Sequence, residues 1–365
     1  MVVNRFCLCS VLSALERSKT SIILLPSNNC KILNHSLSDF DYELPEDLIA
    51  QKPAEPRDHS RLLVYNRETG NIKDDVFYNI GRHLPQGTSL VVNNSKVEKC
   101  RLLFNDGKVE IFITKTVNNR VVEAMVRPGK KFKTGKKVEL TDDISAKTLS
   151  IAEDGIRRIE LSHPLDHEFL NPFKHTPFPP YIDRDESLSE KYQTVYAKDL
   201  GSKAAPTAGL HFTPGLLKKL QDQGIEIKEV TLHVGLGTFA PVKTENIEDH
   251  IMHSEWYQIT PGQAKALNRA KSITAVGTTS VRVLESAQKK DGRFNTCSGE
   301  TDIFITPGYR FNSVDHLITN FHLPKSTLLM LISAFAGYEE TKKIYQHAIR
   351  ERYRFYSFGD AMLIL

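Results

Sequence analysis

From Val97 to about Leu161 the chain passes through six short runs of alternating polar and apolar residues: CRLLF, KVEIFIT, RVVEAMV, KKVEL, TLSIA and IRRIEL. They are separated by NDG, VNN, RPGK, TDD and EDG. Successive side chains of a strand point to opposite faces, so such runs bury one face each, and their turn-rich spacing predicts a small antiparallel barrel or sandwich. The flanking sequence follows a different rule. Before it come the strand LLVY, the turn ETGN, the strand IKDDVF, a short helix near NIGRHL and a buried strand SLVVN, preceded by DFDYELPEDLIAQ with Pro45 suited to a first helical turn. After the proline-rich NPFKHTPFPPYIDR, helices and strands alternate: PGLLKKLQDQG, IEIKEVTLHV, SEWYQIT, PGQAKALNRAK, ITAVGTT, SVRVLESAQKK, TDIFIT and DHLITNF. The helices STLLMLISAFAG and EETKKIYQHAIRERY and a last strand DAMLIL follow. The expected fold class is therefore α/β: a large mixed α/β domain (39–96 plus 182–365) with an inserted small antiparallel β-barrel domain (97–181) that ends in the proline-rich exit linker.

Charge narrows the partners. The 365 residues carry a net +4, of which +3 lies in Met1 to Ser38, so the body is nearly neutral and lacks a global basic field for nucleic acid. One local patch stands out: Arg127, Lys130, Lys131, Lys133, Lys136 and Lys137 fall in RPGKKFKTGKK with no acidic residue. A solvated turn is the plainer explanation of it. The five cysteines show no zinc or redox spacing, which fits a reducing compartment. Phe6 to Leu15 imitates a signal peptide, but Glu16, Arg17 and Lys19 follow without a small-residue cleavage pattern, and no apolar run approaches the roughly 20 residues of a membrane span. A cytoplasmic protein is expected, with residues 1–38 an extension; an upstream start codon is its simplest source.

Several strings carry groups fit for chemistry. In ITAVGTTSVR a buried strand ends at Gly277 and a helix begins at Thr278, Thr279 and Ser280, where backbone N–H groups favour an anion that Arg282, one turn on, would clamp. Ordinary N-capping explains the same residues. Gly235-Leu236-Gly237-Thr238 follows a strand as a dinucleotide loop would, yet no third glycine or helix arrives; a turn that lets backbone approach a ligand remains. His211, His233, His250, His253, His316 and His322 all flank strands or turns. Histidine is the natural proton carrier near neutral pH, although a lone one is more often structural. His250 and His253, with Asp249 and Glu255 nearby, imitate a metal site, but HExxH is missing, as is GxSxG for a serine nucleophile, and no metal is expected. AAPTAGLHFTP and ITNFHLPKST each join a turn, a histidine and a proline to nearby hydroxyls.

The strings DFDYELPEDLIAQKPAEPRDHSRLLV, PPYIDR, KYQTVYA, AAPTAGLHFT, VTLHVGLGTFAPV, HSEWYQI, VGTTSVRVLES, GETDIFITPGYRF, LITNFHLPKSTLLMLISAFAG and YRFYSFGDAML, in this order from about Leu37 to the C-terminus, together resemble the S-adenosylmethionine:tRNA ribosyltransferase-isomerase family of queuosine biosynthesis. The resemblance implies an enzyme that transfers the ribosyl part of S-adenosylmethionine, rearranged to an epoxycyclopentane, onto aminomethyl-deazaguanine at the wobble position of a tRNA with a GUN-type anticodon. Adenine and methionine leave. It implies a monomer, S-adenosylmethionine as co-substrate and no prosthetic group. Such chemistry needs a base for the proton on the sulfonium-bearing ribose carbon and a donor for departing adenine. His211, His253 and Glu255 are assigned to these roles, with His322 in reserve. Thr207 and Gly209 of the APTAG turn, Gly235, Gly237 and Thr238, and Thr278, Thr279, Ser280 and Arg282 are assigned to S-adenosylmethionine. Arg127, Lys130, Lys131 and Arg310 are assigned to tRNA phosphates, and Tyr309 or Trp256 to stacking on a flipped base.

Two departures bear on activity. Where the family reads NDTRV or NNTRV followed by IPARL, this chain has Asn93-Asn94-Ser95-Lys96-Val97-Glu98-Lys99-Cys100-Arg101-Leu102, and lysine lacks arginine's planar fork. Thr306 stands where a tyrosine usually precedes PGYRF. A catalytically impaired tRNA-binding homologue is the alternative these changes leave open.

Overall fold

The computed structural model describes residues 35–235, 237, 242–287 and 292–365. The expected N-terminal extension thus lies outside the described residues up to position 34. Ser36 already bridges Asn246, the Leu37 amide donates to the Glu245 carbonyl at 2.9 Å, and Phe40 is buried, so the folded body includes these residues.

In chain order the strands are β1 (Arg61–Tyr65), β2 (Ile72–Val76), β3 (Thr88–Asn93), β4 (Ser95–Val97), β5 (Arg101–Phe104), β6 (Val109–Thr116), β7 (Val121–Arg127), β8 (Lys137–Glu139) and β9 (Ser145–Ile151). They continue with β10 (Arg157–Leu161), β11 (Lys174–His175), β12 (Asp199–Ser202), β13 (Glu226–Leu232), β14 (Glu255–Ile259), β15 (Ser272–Val276), β16 (Cys297–Thr301), β17 (His316–Asn320) and β18 (Ala361–Ile364). The α-helices are α1 (Pro214–Asp222), α2 (Pro261–Leu267), α3 (Thr278–Ala287), α4 (Thr327–Ala336) and α5 (Tyr338–Arg350).

Among the described residues the main sheet has nine strands in the order β16-β14-β13-β3-β15-β17-β18-β1-β2. Its centre is parallel: β13 pairs with β3, β3 with β15 and β15 with β17, all in one direction. Strand periodicity divides its side chains between two cores. Leu63, Val91, Ala275, Leu317 and Met362 face α3, α4 and α5, whereas Leu62, Leu90, Val276, Ile318 and Leu363 face α1 and Phe77. Burial on both faces is why these strands read as continuous apolar runs.

The six alternating runs form β5 to β10, and with β11 they build a seven-stranded antiparallel sheet in the order β11-β5-β6-β7-β10-β9-β8. It has its own core, which includes Leu102, Phe104, Ile111, Phe132 and Ile159. The outer strands β8 and β11 are not paired with each other, so the sheet curls without closing into the expected barrel.

Three local expectations are corrected. DFDYELPEDLIAQ forms two 3-10 turns, Leu37–Phe40 and Glu46–Leu48, and NIGRHL falls in the 3-10 helix Phe77–Arg82. TDIFIT is not a strand. The ladder partner of β14 is CSGET, just upstream, while Ile305 packs unpaired into the main core. An apolar run marks burial, and backbone pairing follows only where a partner strand is in register. No helix among the described residues is long and apolar enough to cross a membrane.

Leu317 is fully buried in β17, whereas Leu149 is 37% exposed on β9. Leu317→Ala is expected to lower unfolding free energy by about 2–5 kcal/mol, and Leu149→Ala by under about 1 kcal/mol, measured by urea titration.

Candidate active site

The four parallel strands end on one edge of the sheet, the place where open α/β sheets bind ligands. A small cleft opens there. Its walls are Ala205 to Ala208, Gly277 with Thr278 and Thr279, and Thr319, Asn320 and His322, with Val234 and Leu328 completing it. None of these is an Asp, Glu, Lys or Arg.

Gly277 makes the turn from β15 into α3 at φ +86, a left-handed conformation that glycine adopts without strain. Its amide donates to the Ile318 carbonyl at 2.8 Å, which ties the start of α3 to β17. The first N–H groups of the helix have no partner within it and meet the cleft. The Thr279 hydroxyl is buried, lines the cleft and has no hydrogen-bond partner among the described residues. Ser280 differs: its hydroxyl donates back to the Val276 carbonyl at 2.8 Å, so it serves the turn.

Arg282 does not reach the cleft as an open clamp. Its guanidinium is buried in an ion pair with Glu255 and also donates to the Thr301 carbonyl at 3.3 Å. The other Glu255 oxygen accepts from the Gly235 amide at 2.7 Å. The pair therefore links α3, β14 and the glycine turn next to Val234, and corrects the expectation of a fork free for an anion. Gly237 lies against the His253 ring, with which an added β-carbon would collide; His253 itself is exposed. Thr238 lies outside the described residues.

His322 lines the cleft. Its Nε2 is 2.7 Å from the Thr319 hydroxyl, its backbone amide donates to the Tyr345 hydroxyl at 2.9 Å, and the Tyr42 hydroxyl donates to its carbonyl. Burial pushes its pKa down to about 3. His211 lies behind the cleft in the 3-10 turn Thr207–His211, its Nδ1 2.8 Å from the Ser60 hydroxyl and its Nε2 3.1 Å from the Asn320 amide. Burial, opposed by Asp360 and reinforced by Arg354, lowers it to about 4. Both rings are neutral at pH 7. Gly209 in the same turn packs on Thr194 and Tyr196 instead of lining the cleft.

The nucleic-acid candidates lie elsewhere. Arg310 lines a shallow depression with Ser272 and His316, at the N-terminal ends of β15 and β17, the edge opposite the cleft. Tyr309 donates to Glu285 near the far end of α3, which raises the phenol to about 12 through burial and that carboxylate. Neither lines the cleft. Arg127, Lys130 and Lys131 are exposed beyond β7, and Arg127 shares Glu110 with Arg101 and Arg184. Lys96 is exposed on β4. No group of three His, Cys, Asp or Glu side chains fit for a metal gathers among the described residues.

Asn320, Thr319, Ser60 and Tyr356 went unread in the sequence. ITNFH drew attention to its histidine, and nothing local reveals that an asparagine two residues earlier meets His211, 109 positions away.

Residues 37–364 match the model of a family described as queuosine biosynthesis protein. The chain belongs to that family. It is 51% identical over 339 residues to the S-adenosylmethionine:tRNA ribosyltransferase-isomerase of Desulfitobacterium hafniense, covering 90% of this chain and 99% of that protein. The Thermotoga petrophila enzyme of the same name is 48% identical over 336 residues, with the same coverage. A crystal structure of S-adenosylmethionine tRNA ribosyltransferase from Thermotoga maritima, 39% identical, matches 90% of this chain and 100% of its own with a TM-score of 0.52.

Two outcomes follow for this queuosine-family site. Arg282→Met leaves the Glu255 charge buried and unpaired, and is expected to cost about 3–5 kcal/mol, of which Arg282→Met with Glu255→Leu recovers more than half in urea titrations. The pH dependence has a definite sign. His211 and His322 are lowered from 6.5 to about 4 and about 3, so the unfolded chain takes up protons first as pH falls. Stability present above pH 6.5 is then lost down to those values, by about 1.4 kcal/mol per pH unit for each histidine at the steepest. Urea midpoints at pH 7 and pH 5 check this, and His211→Gln should flatten the slope.

Proposed function

We propose that this chain is an S-adenosylmethionine:tRNA ribosyltransferase-isomerase. It transfers the ribosyl part of S-adenosylmethionine, isomerised to an epoxycyclopentane, onto aminomethyl-deazaguanine at the wobble position of a tRNA with a GUN-type anticodon. Epoxyqueuosine-tRNA forms, and adenine and methionine leave. The observation that carries this reading is the 51% identity, over 99% of its length, to the Desulfitobacterium hafniense enzyme of that name.

The cleft supports the same reading. The start of α3, with the unpartnered Thr279 hydroxyl, suits the methionine carboxylate through backbone N–H groups and the helix dipole. Glu255 and Arg282 hold the Gly235 turn as its neighbouring wall. His322, neutral and in the cleft wall, is assigned to accept the proton from the sulfonium-bearing carbon, whose acidity the positive sulfur raises. His253, beside Gly237, is assigned to donate toward departing adenine. The antiparallel sheet is read as an inserted barrel-like domain, 97–181, within the discontinuous α/β domain 39–96 plus 182–365. It would offer Arg127, Lys130 and Lys131 to tRNA phosphates, with affinity that falls as salt rises. The enzyme is read as a cytoplasmic monomer that uses no prosthetic group.

The test is incubation of the purified protein with S-adenosylmethionine and tRNA bearing the precursor base. Adenine release and an epoxyqueuosine mass at the wobble nucleoside are expected. Binding of that tRNA with no adenine released would overturn the reading in favour of an impaired binder.

A further inference from the structure

We infer that Asn320 is the acceptor that recognises the ammonium group of the ligand's amino-acid moiety, and that His211 is a positioning residue that fixes the Asn320 amide. The inference rests on the reading of S-adenosylmethionine as ligand and adds a subsite to it.

The hydrogen bonds settle which way the amide points. Asn320 Nδ2 lies 3.2 Å from the Tyr356 carbonyl and 3.1 Å from His211 Nε2. A carbonyl only accepts, so the atom facing it is the NH2 group, and a flipped amide would set two oxygens against each other. One hydrogen goes to Tyr356 and the other to His211. His211 Nε2 therefore accepts, its proton sits on Nδ1, and Nδ1 donates to the Ser60 hydroxyl at 2.8 Å. Burial keeps the ring neutral, as this arrangement requires, with Ser60, His211 and Asn320 at 2%, 4% and 1% exposure. Tyr356 is itself held at φ +69, a conformation that bulky residues rarely adopt, with its carbonyl aimed at the amide. A ring with both nitrogens engaged in this way cannot take a substrate proton without releasing Asn320.

The chain of bonds leaves one group for a ligand. Asn320 Oδ1 accepts from the Thr207 hydroxyl at 3.0 Å, and a carbonyl oxygen has a second lone pair. Asn320 and Thr207 line the same cleft as Thr278 and Thr279 at the start of α3. A neutral acceptor in the same cleft as an anion-friendly helix start, with no carboxylate or amine side chain among the described wall residues, fits a zwitterion: carboxylate toward α3, ammonium toward Asn320.

The experiment compares direct binding of S-adenosylhomocysteine with that of its deaminated analogue, which keeps the carboxylate. The wild type should prefer the amine-bearing ligand by at least tenfold, and Asn320→Ala should lose most of that preference while binding the analogue as the wild type does. Equal loss for both ligands, or none, overturns the assignment. For His211 the readout is turnover with S-adenosylmethionine saturating. Gln places an acceptor near the position of Nε2, so His211→Gln should keep kcat and its pH profile within about threefold, whereas His211→Leu should raise KM about tenfold. Loss of turnover in His211→Gln with ligand affinity intact would make His211 the proton carrier and overturn the inference. A wild type that discriminates between the two ligands but releases no adenine would instead defeat the functional reading alone.

Discussion

The common direction of β13, β3, β15 and β17 is the constraint on which the site depends. Parallel neighbours bring all their C-terminal ends to one edge, and each strand must there hand its chain to a loop or helix whose backbone groups still need partners. Gly277 into α3, Asn320 into the His322 loop and Val234 into the glycine turn are three such exits. Their unmet hydrogen-bonding capacity, gathered in one place, is what makes the cleft able to hold a polar ligand without a charged side chain among its described wall residues.

Buried polar networks then lock that edge. The Glu255–Arg282 pair fastens the glycine turn to α3 and β14, and the Ser60–His211–Asn320 chain fastens the Thr207–His211 turn to β17. Each net contribution to stability is modest, because desolvation offsets much of the attraction. Geometry is the larger gain, since the hydrogen bonds these groups share tie each side chain to one arrangement.

Much of this was legible in the residues. The change of period at Val97 separated the antiparallel sheet from the α/β pattern, because periodicity reports directly which faces are buried. The strand-to-helix exit at Gly277 to Ser280 was legible for the same local reason, glycine followed by hydroxyls at a helix start. Roles that depend on distant partners were not. Arg282 reads as an anion clamp until Glu255, 27 residues upstream, is found in its fork. Arg310, assigned in the sequence to tRNA phosphates, gives no local sign that it lies at the sheet edge opposite the cleft. TDIFIT reads as a strand because apolar content shows that a segment is buried and says nothing of whether a partner strand lies beside it.

The absence of charge from the described residues of the cleft wall has an electrostatic consequence. A sulfonium held there would meet no fixed counter-ion among the described wall residues, and in a poorly hydrated site its field is screened far less than in water. The adjacent carbon would feel nearly the whole of that field, so its proton leaves more readily, and the thioether formed when the carbon–sulfur bond breaks would carry no net charge for the cleft to retain. On the proposed reading, the same neutrality would favour both the onset of the reaction and the departure of its product.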